Sequence, residues 1–118
     1  MSCGRKDKRH TLPRPIDVFD TFNSACLGTL VNISSNGILI AGEDGLDIDS
    51  IYQLELRFPE PFAGCLKLSV GVDCLWVDKA GVIGQLYWSG CQIIDISDED
   101  KKALENVLSL LENNEDAA

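Results

Sequence analysis

Histidine is nearly absent: the 118-residue chain has one, His10. A histidine-ligated metal site has no inventory to draw on, and a Ser/His/Asp or Cys/His nucleophilic system would rest on that single residue near the N-terminus. No glycine-rich phosphate loop is present either, so neither a metalloenzyme nor a nucleotide hydrolase is expected. Long apolar runs are also missing. None approaches the roughly 18–20 residues that cross a bilayer as a helix, and no apolar segment follows the basic stretch 1–14 to make a signal peptide. The expectation is a cytoplasmic chain without a membrane span. Cys3, Cys26, Cys65, Cys74 and Cys91 lack the CxxC spacing of a zinc site, and five is an odd number for a disulfide scaffold. They read as small buried apolar residues plus one loose thiol at Cys3.

What is present is an ordinary globular composition, 45% hydrophobic and 25% charged, enough for a single core in one domain. Charge is segregated. Residues 1–14 hold Arg5, Lys6, Lys8, Arg9 and Arg14 against Asp7, a net +4; the other 104 residues carry five cations against eighteen acids, a net −13. An acidic body repels nucleic-acid polymers, whereas a short cationic arm can still grip a small anion at close range. Three segments follow: a flexible basic arm over 1–14, a folded body over 15–113 and a disordered tail over 114–118.

The body reads mainly as strands. After Pro13 and Pro15 an extended segment runs through Ile16, Val18 and Phe19. Residues 26–33 form a strand, and Ser34, Ser35, Asn36 and Gly37 turn it into a returning strand, with Gly37 supplying positive φ or close backbone approach. Residues 41–50 are an exposed acidic loop that does not match a calcium-binding loop. Tyr52, Leu54, Leu56 and Phe58 alternate with polar residues until Pro59 and Pro61 end the strand. Leu66, Leu68, Val70, Val72, Cys74 and Trp76 share one face of the next strand. A turn at residues 78–81 leads to a last strand over 82–94. The period then changes. Leu104, Val107, Leu108 and Leu111 make a helical stripe behind Ser97 as N-cap, packing on the barrel or on another subunit. Strands followed by one helix predict an all-β fold, an antiparallel barrel or sandwich covered by that helix.

Two short patterns stand out: Arg5 and Arg9 as RxxxR, and Asn32, Ser34 and Gly37 as NxSxxG, with Arg9 lying 23 positions before Asn32. In this order, with the Asn-x-Ser pair leaving a strand into a glycine turn, they resemble the PilZ domain family. The strand end Val72 to Trp76, and the passage from Gly90 through Cys91 and Ile93 into an acidic helix start, are similar to the same family. The resemblance covers roughly Arg5 to Leu111. It implies a six-stranded antiparallel β-barrel with a C-terminal α-helix, which binds the bacterial second messenger cyclic di-GMP without catalysis or cofactor. Arg5 and Arg9 would clamp the ligand, since a guanidinium donates bidentately to phosphate or guanine and stacks on a base. Asn32, Ser34 and Gly37 would complete the site, with Lys8, His10, Arg14 and Ser35 as auxiliaries and Arg14 an alternative to Arg5. The implied role is signal transduction, in which ligand orders the arm and a downstream protein partner reads the change. The other reading is a PilZ-like adaptor that binds only protein. The ligand as monomer or intercalated dimer, and the protein as monomer or homodimer, are both compatible with these residues. Trp76 and Trp88 read as core or interface aromatics rather than as ligand stackers.

Overall fold

The computed structural model describes residues 10–11, 15–80 and 86–117. Seven strands and one helix follow in chain order: β1 (His10–Thr11), β2 (Asp17–Asp20), β3 (Cys26–Ile33), β4 (Gly37–Gly42), β5 (Ile51–Phe62), β6 (Cys65–Ala80), β7 (Leu86–Asp95) and α1 (Asp98–Ala117). Every pairing is antiparallel. Around the sheet the order is β3, β2, β5, β6, β7, β4, and β4 pairs again with β3, which closes a six-stranded barrel. Closure leaves no long open edge to be covered. The two-residue β1 prolongs the line of β2 along β3, with His10 opposite Ile33 and Thr11 opposite Asn32.

Alternation accounts for the interior. Leu54 and Leu56 on β5, Leu68, Val70, Val72 and Cys74 on β6, and Ile38 and Ile40 on β4 are all no more than 2% exposed. They fill the barrel with close-packed aliphatic side chains. At one end the plug is α1, which packs against β6 and β1. Its Leu104, Val107 and Leu111 are buried, so the stripe packs on its own barrel; three such side chains contribute about 1.5–3 kcal/mol each as an upper estimate. Ser97 caps the helix as its sequence suggests, its Oγ accepting from the Asp100 amide at 3.1 Å. At the other end Leu46 is the plug, buried, with its amide donating to the enclosed Ser89 Oγ at 3.1 Å.

Several expectations need correction. Pro59 and Pro61 do not end β5; the strand runs to Phe62, and the prolines sit in a register shift between Arg57 and Phe62 where ladder donors are not needed. β6 extends through Asp78 and Lys79 to Ala80, so the ladder continues where a turn was expected, and Ala80 pairs with Leu86. The loop after β4 begins at Glu43, since Ala41 and Gly42 belong to the strand. Positive φ among the described glycines occurs at Gly28 and Gly64, not at Gly37. Gly28 passes so close to β4 that a Cβ there would fall on the Ala41 carbonyl. Finally, Leu66 and Trp76 do not share the interior face of β6: they are 59% and 45% exposed.

Candidate functional site

The loop between β3 and β4 is built by its serine. Ser34 is fully buried; its Oγ accepts from the Gly37 amide at 3.1 Å and donates to the Gly37 carbonyl at 3.3 Å. The Ser34 amide donates to the same carbonyl at 2.9 Å, and the Asn36 carbonyl accepts from the Ile93 amide of β7 at 2.8 Å. These bonds hold the turn against two strands, with Ser35 and Asn36 exposed at its tip. Of the expected site residues, Ser34 thus spends its hydroxyl on shaping the turn, and Gly37 is a buried extended residue opposite Gln92. Arg5, Lys6, Lys8, Arg9 and Arg14 lie outside the described residues. His10, an expected auxiliary, is paired to Ile33 in β1, and Thr11 is paired to Asn32.

A cleft of about 350 Å³ lies on the outer barrel face beside that pairing, lined by Asn32, Leu39, Leu75, Trp76, Trp88 and Gly90 among others. Its geometry follows from register. Asn32 is opposite Leu39, Leu39 is opposite Gly90, and Gly90 is opposite Trp76, so these residues form one row across β3, β4, β7 and β6. Ile38 and Ile40 point inward, so Leu39 points out and floors the cleft. A register shift between Cys74 and Trp76 turns the indole outward. The indole then lies across Gly90, where a methyl group would fall inside the ring. No sequence periodicity signals this, because a bulge changes the face that a strand residue occupies.

Charge separates this cleft from the larger cavity of about 650 Å³ at the opposite barrel end, whose lining includes Asp20, Glu43 and Asp44. Among the described residues, the outer-face cleft has no acidic or basic side chain in its lining. Cys91, which lines it, has its thiol pushed up to about 12 by burial foremost and by Cys74 beside it, so it stays neutral. Among the described residues, an anion meets carboxylates in the larger cavity and none in the cleft lining. Neutral, aromatic and amide-bearing surfaces suit a flat heterocycle.

A closed six-stranded barrel, filled with aliphatic side chains and carrying an aromatic cleft on its outer wall, is the architecture on which the comparisons bear. The sequence matches the family model described as PilZ domain over residues 4–110, and the chain belongs to that family. Solved structures agree in fold. The PilZ domain of YcgR from Escherichia coli, determined with c-di-GMP, superposes with a TM-score of 0.73 at 14% identity, covering 94% of this chain and 93% of that one. A longer E. coli YcgR in complex with c-di-GMP gives 0.75 at 13% identity over 97% of this chain and 48% of that one. The inhibitor of motility MotI/DgrA from Bacillus subtilis gives 0.70 at 17% identity, over 95% and 51%. This chain spans about half the length of those two proteins. A search of curated protein sequences returns no match.

Proposed function

We propose that this PilZ domain is a receptor for cyclic di-GMP, a recognition module and not a catalyst. One observation carries the reading: β1 pairs with β3 so that His10 and Thr11 stand opposite Ile33 and Asn32. Arg9 precedes His10 directly in sequence, and Arg5 lies four residues before Arg9. In this reading the arginines bind phosphate and guanine, Asn32 offers its amide to the ligand, and Ser34 and Gly37 hold the turn that presents it. The neutral cleft next to Asn32 receives the apolar face of the ligand. Related domains point the same way, since the E. coli YcgR structures carry c-di-GMP.

Signalling in this proposal is an ordering step. Ligand draws the arm of residues 1–9 onto the barrel, and a downstream protein partner reads the altered surface, where α1 packs beside β1. Isothermal titration with cyclic di-GMP, alongside Arg9→Ala, Asn32→Ala and Ser34→Ala variants and a GMP control, tests the receptor. Saturable binding that Arg9→Ala and Asn32→Ala each weaken by about tenfold or more supports it, the size expected of hydrogen bonds to charged groups. Absence of heat and of thermal shift in the unsubstituted chain overturns it in favour of the protein-only adaptor. Protease cleavage at Arg5 and Arg9 tests the switch: protection by saturating ligand is expected, and unchanged cleavage overturns the ordering step.

A further inference from the structure

The two tryptophans of the chain both line the outer-face cleft, and both keep a large part of the indole open to solvent. Trp76 rests on Gly90. Trp88 pairs with Ala41 on β4 and with Asp78 on β6, so its direct cross-strand partners offer it no second aromatic ring. It is 40% exposed. A large aromatic left open to water on a β-barrel exterior forfeits burial that an interior position would give. The outer wall on β5 and the start of β6 shows what an ordinary solvated face looks like here: Glu55 pairs with Arg57 at 2.7 Å and with Lys67 at 3.5 Å. Around the cleft, by contrast, Leu75, Trp76 and Trp88 are 49%, 45% and 40% exposed and stand together.

We infer that Trp88 is a ligand-contacting residue of this domain, the stacking surface for a guanine base of the bound cyclic dinucleotide. The inference rests on the receptor reading above and adds to it a contact outside the RxxxR and NxSxxG motifs. Three observations select a base over a protein side chain as occupant. Asn32, the half-buried member of the turn motif, lines the same cleft, so the aromatic surface is continuous with the proposed site. The described residues of the lining lack charge, which fits the uncharged face of a purine. The cleft, about 350 Å³, is concave and bounded by two indoles, the form in which aromatic side chains hold flat rings. Stacking on an indole is tolerant of ring identity, so Trp88 supplies affinity, and the choice of guanine falls to hydrogen-bonding groups such as Asn32 and the arginines.

The test uses the full chain and the dinucleotide itself. Trp88→Ala and Trp88→Phe are titrated beside the unsubstituted protein, with circular dichroism and thermal unfolding to show that each variant is folded. The expected result is a loss of about tenfold or more in affinity for Trp88→Ala and a loss of threefold or less for Trp88→Phe, as base–aromatic stacking predicts. Because Trp76→Phe leaves Trp88 as the sole tryptophan, its emission in that variant reports the contact directly. Saturating cyclic di-GMP should quench it, and GMP at the same concentration should not. Affinity kept within twofold by Trp88→Ala, or Trp88 emission unmoved by saturating ligand in a binding-competent Trp76→Phe protein, overturns the inference and leaves the receptor reading intact. Failure of the unsubstituted chain to bind overturns both.

Discussion

Replacing Gly90 by alanine is a sharp probe of how the outer face is assembled, because the perturbation is one methyl group with a defined target. That methyl would fall inside the Trp76 indole, so the ring must leave its seat. Trp76 is 45% exposed, so slightly more than half of it is covered. A tryptophan side chain offers about 250 Å², so about 140 Å² would return to water, and at about 25 cal/mol/Å² the ceiling is about 3.5 kcal/mol. Part of the contact survives a tilt of the ring, so the expected loss is about 1.5–3 kcal/mol. Urea unfolding followed by circular dichroism measures it as a lower midpoint with unchanged slope. A double-mutant cycle isolates the cause. In a Trp76→Ala background there is no ring to displace, and Gly90→Ala should become neutral or stabilising by about 0.5–1 kcal/mol, since glycine weakens a strand on entropic grounds. Additive penalties in the two backgrounds would refute the assignment of Gly90 as the seat of Trp76.

Other perturbations address the core, the thiols and the charged wall. Leu104→Ala on α1 removes a side chain that is 3% exposed and should cost about 2–5 kcal/mol in the same unfolding experiment, whereas Leu66→Ala, at 59% exposure, should cost less than about 1 kcal/mol. In a thiol-reagent assay on the native protein at pH 8, Cys26 is exposed and should react rapidly; Cys65, Cys74 and Cys91 are buried, with thiols pushed above their ordinary range, and should react only on unfolding. Fast native labelling of Cys91 would contradict its burial. Glu55 is held below the usual carboxylate range, first by its hydrogen bond from Arg57. Its contribution to stability is therefore full above pH 4.5 and fades as pH falls through the lowered value. Glu55→Gln should remove that part of the acid-side slope, leaving a small and salt-sensitive difference at pH 7.

How legible the fold was depended on whether local periodicity and three-dimensional position coincided. They coincide in β3, whose ends at Cys26 and Ile33 match the expected strand, and in α1, where Leu104, Val107 and Leu111 face the barrel. They part at bulges. Strict alternation puts Trp76 with Cys74 inside, and the register shift between them turns the indole out. Pro59 and Pro61 suggest a strand end by their missing donors, yet an irregular stretch of a hairpin tolerates them. The NxSxxG turn was readable because its residues are adjacent in sequence. The cleft was not, since Asn32, Leu39, Gly90 and Trp76 meet only through the pairing of four strands.

The packed interior of the barrel has a consequence for how such domains diverge. Leucine, isoleucine and valine fill the lumen, so no ligand group reaches the inward-facing positions, and their only constraint is combined volume. Substitutions there can accumulate in compensating sets without touching recognition. Outward-facing rows evolve under a separate constraint, set by whatever each wall must meet. Inside and outside thus drift as two nearly independent ledgers written on alternate residues of the same strands. Backbones at 13–17% identity can then superpose as closely as those compared above while their walls acquire different chemistry.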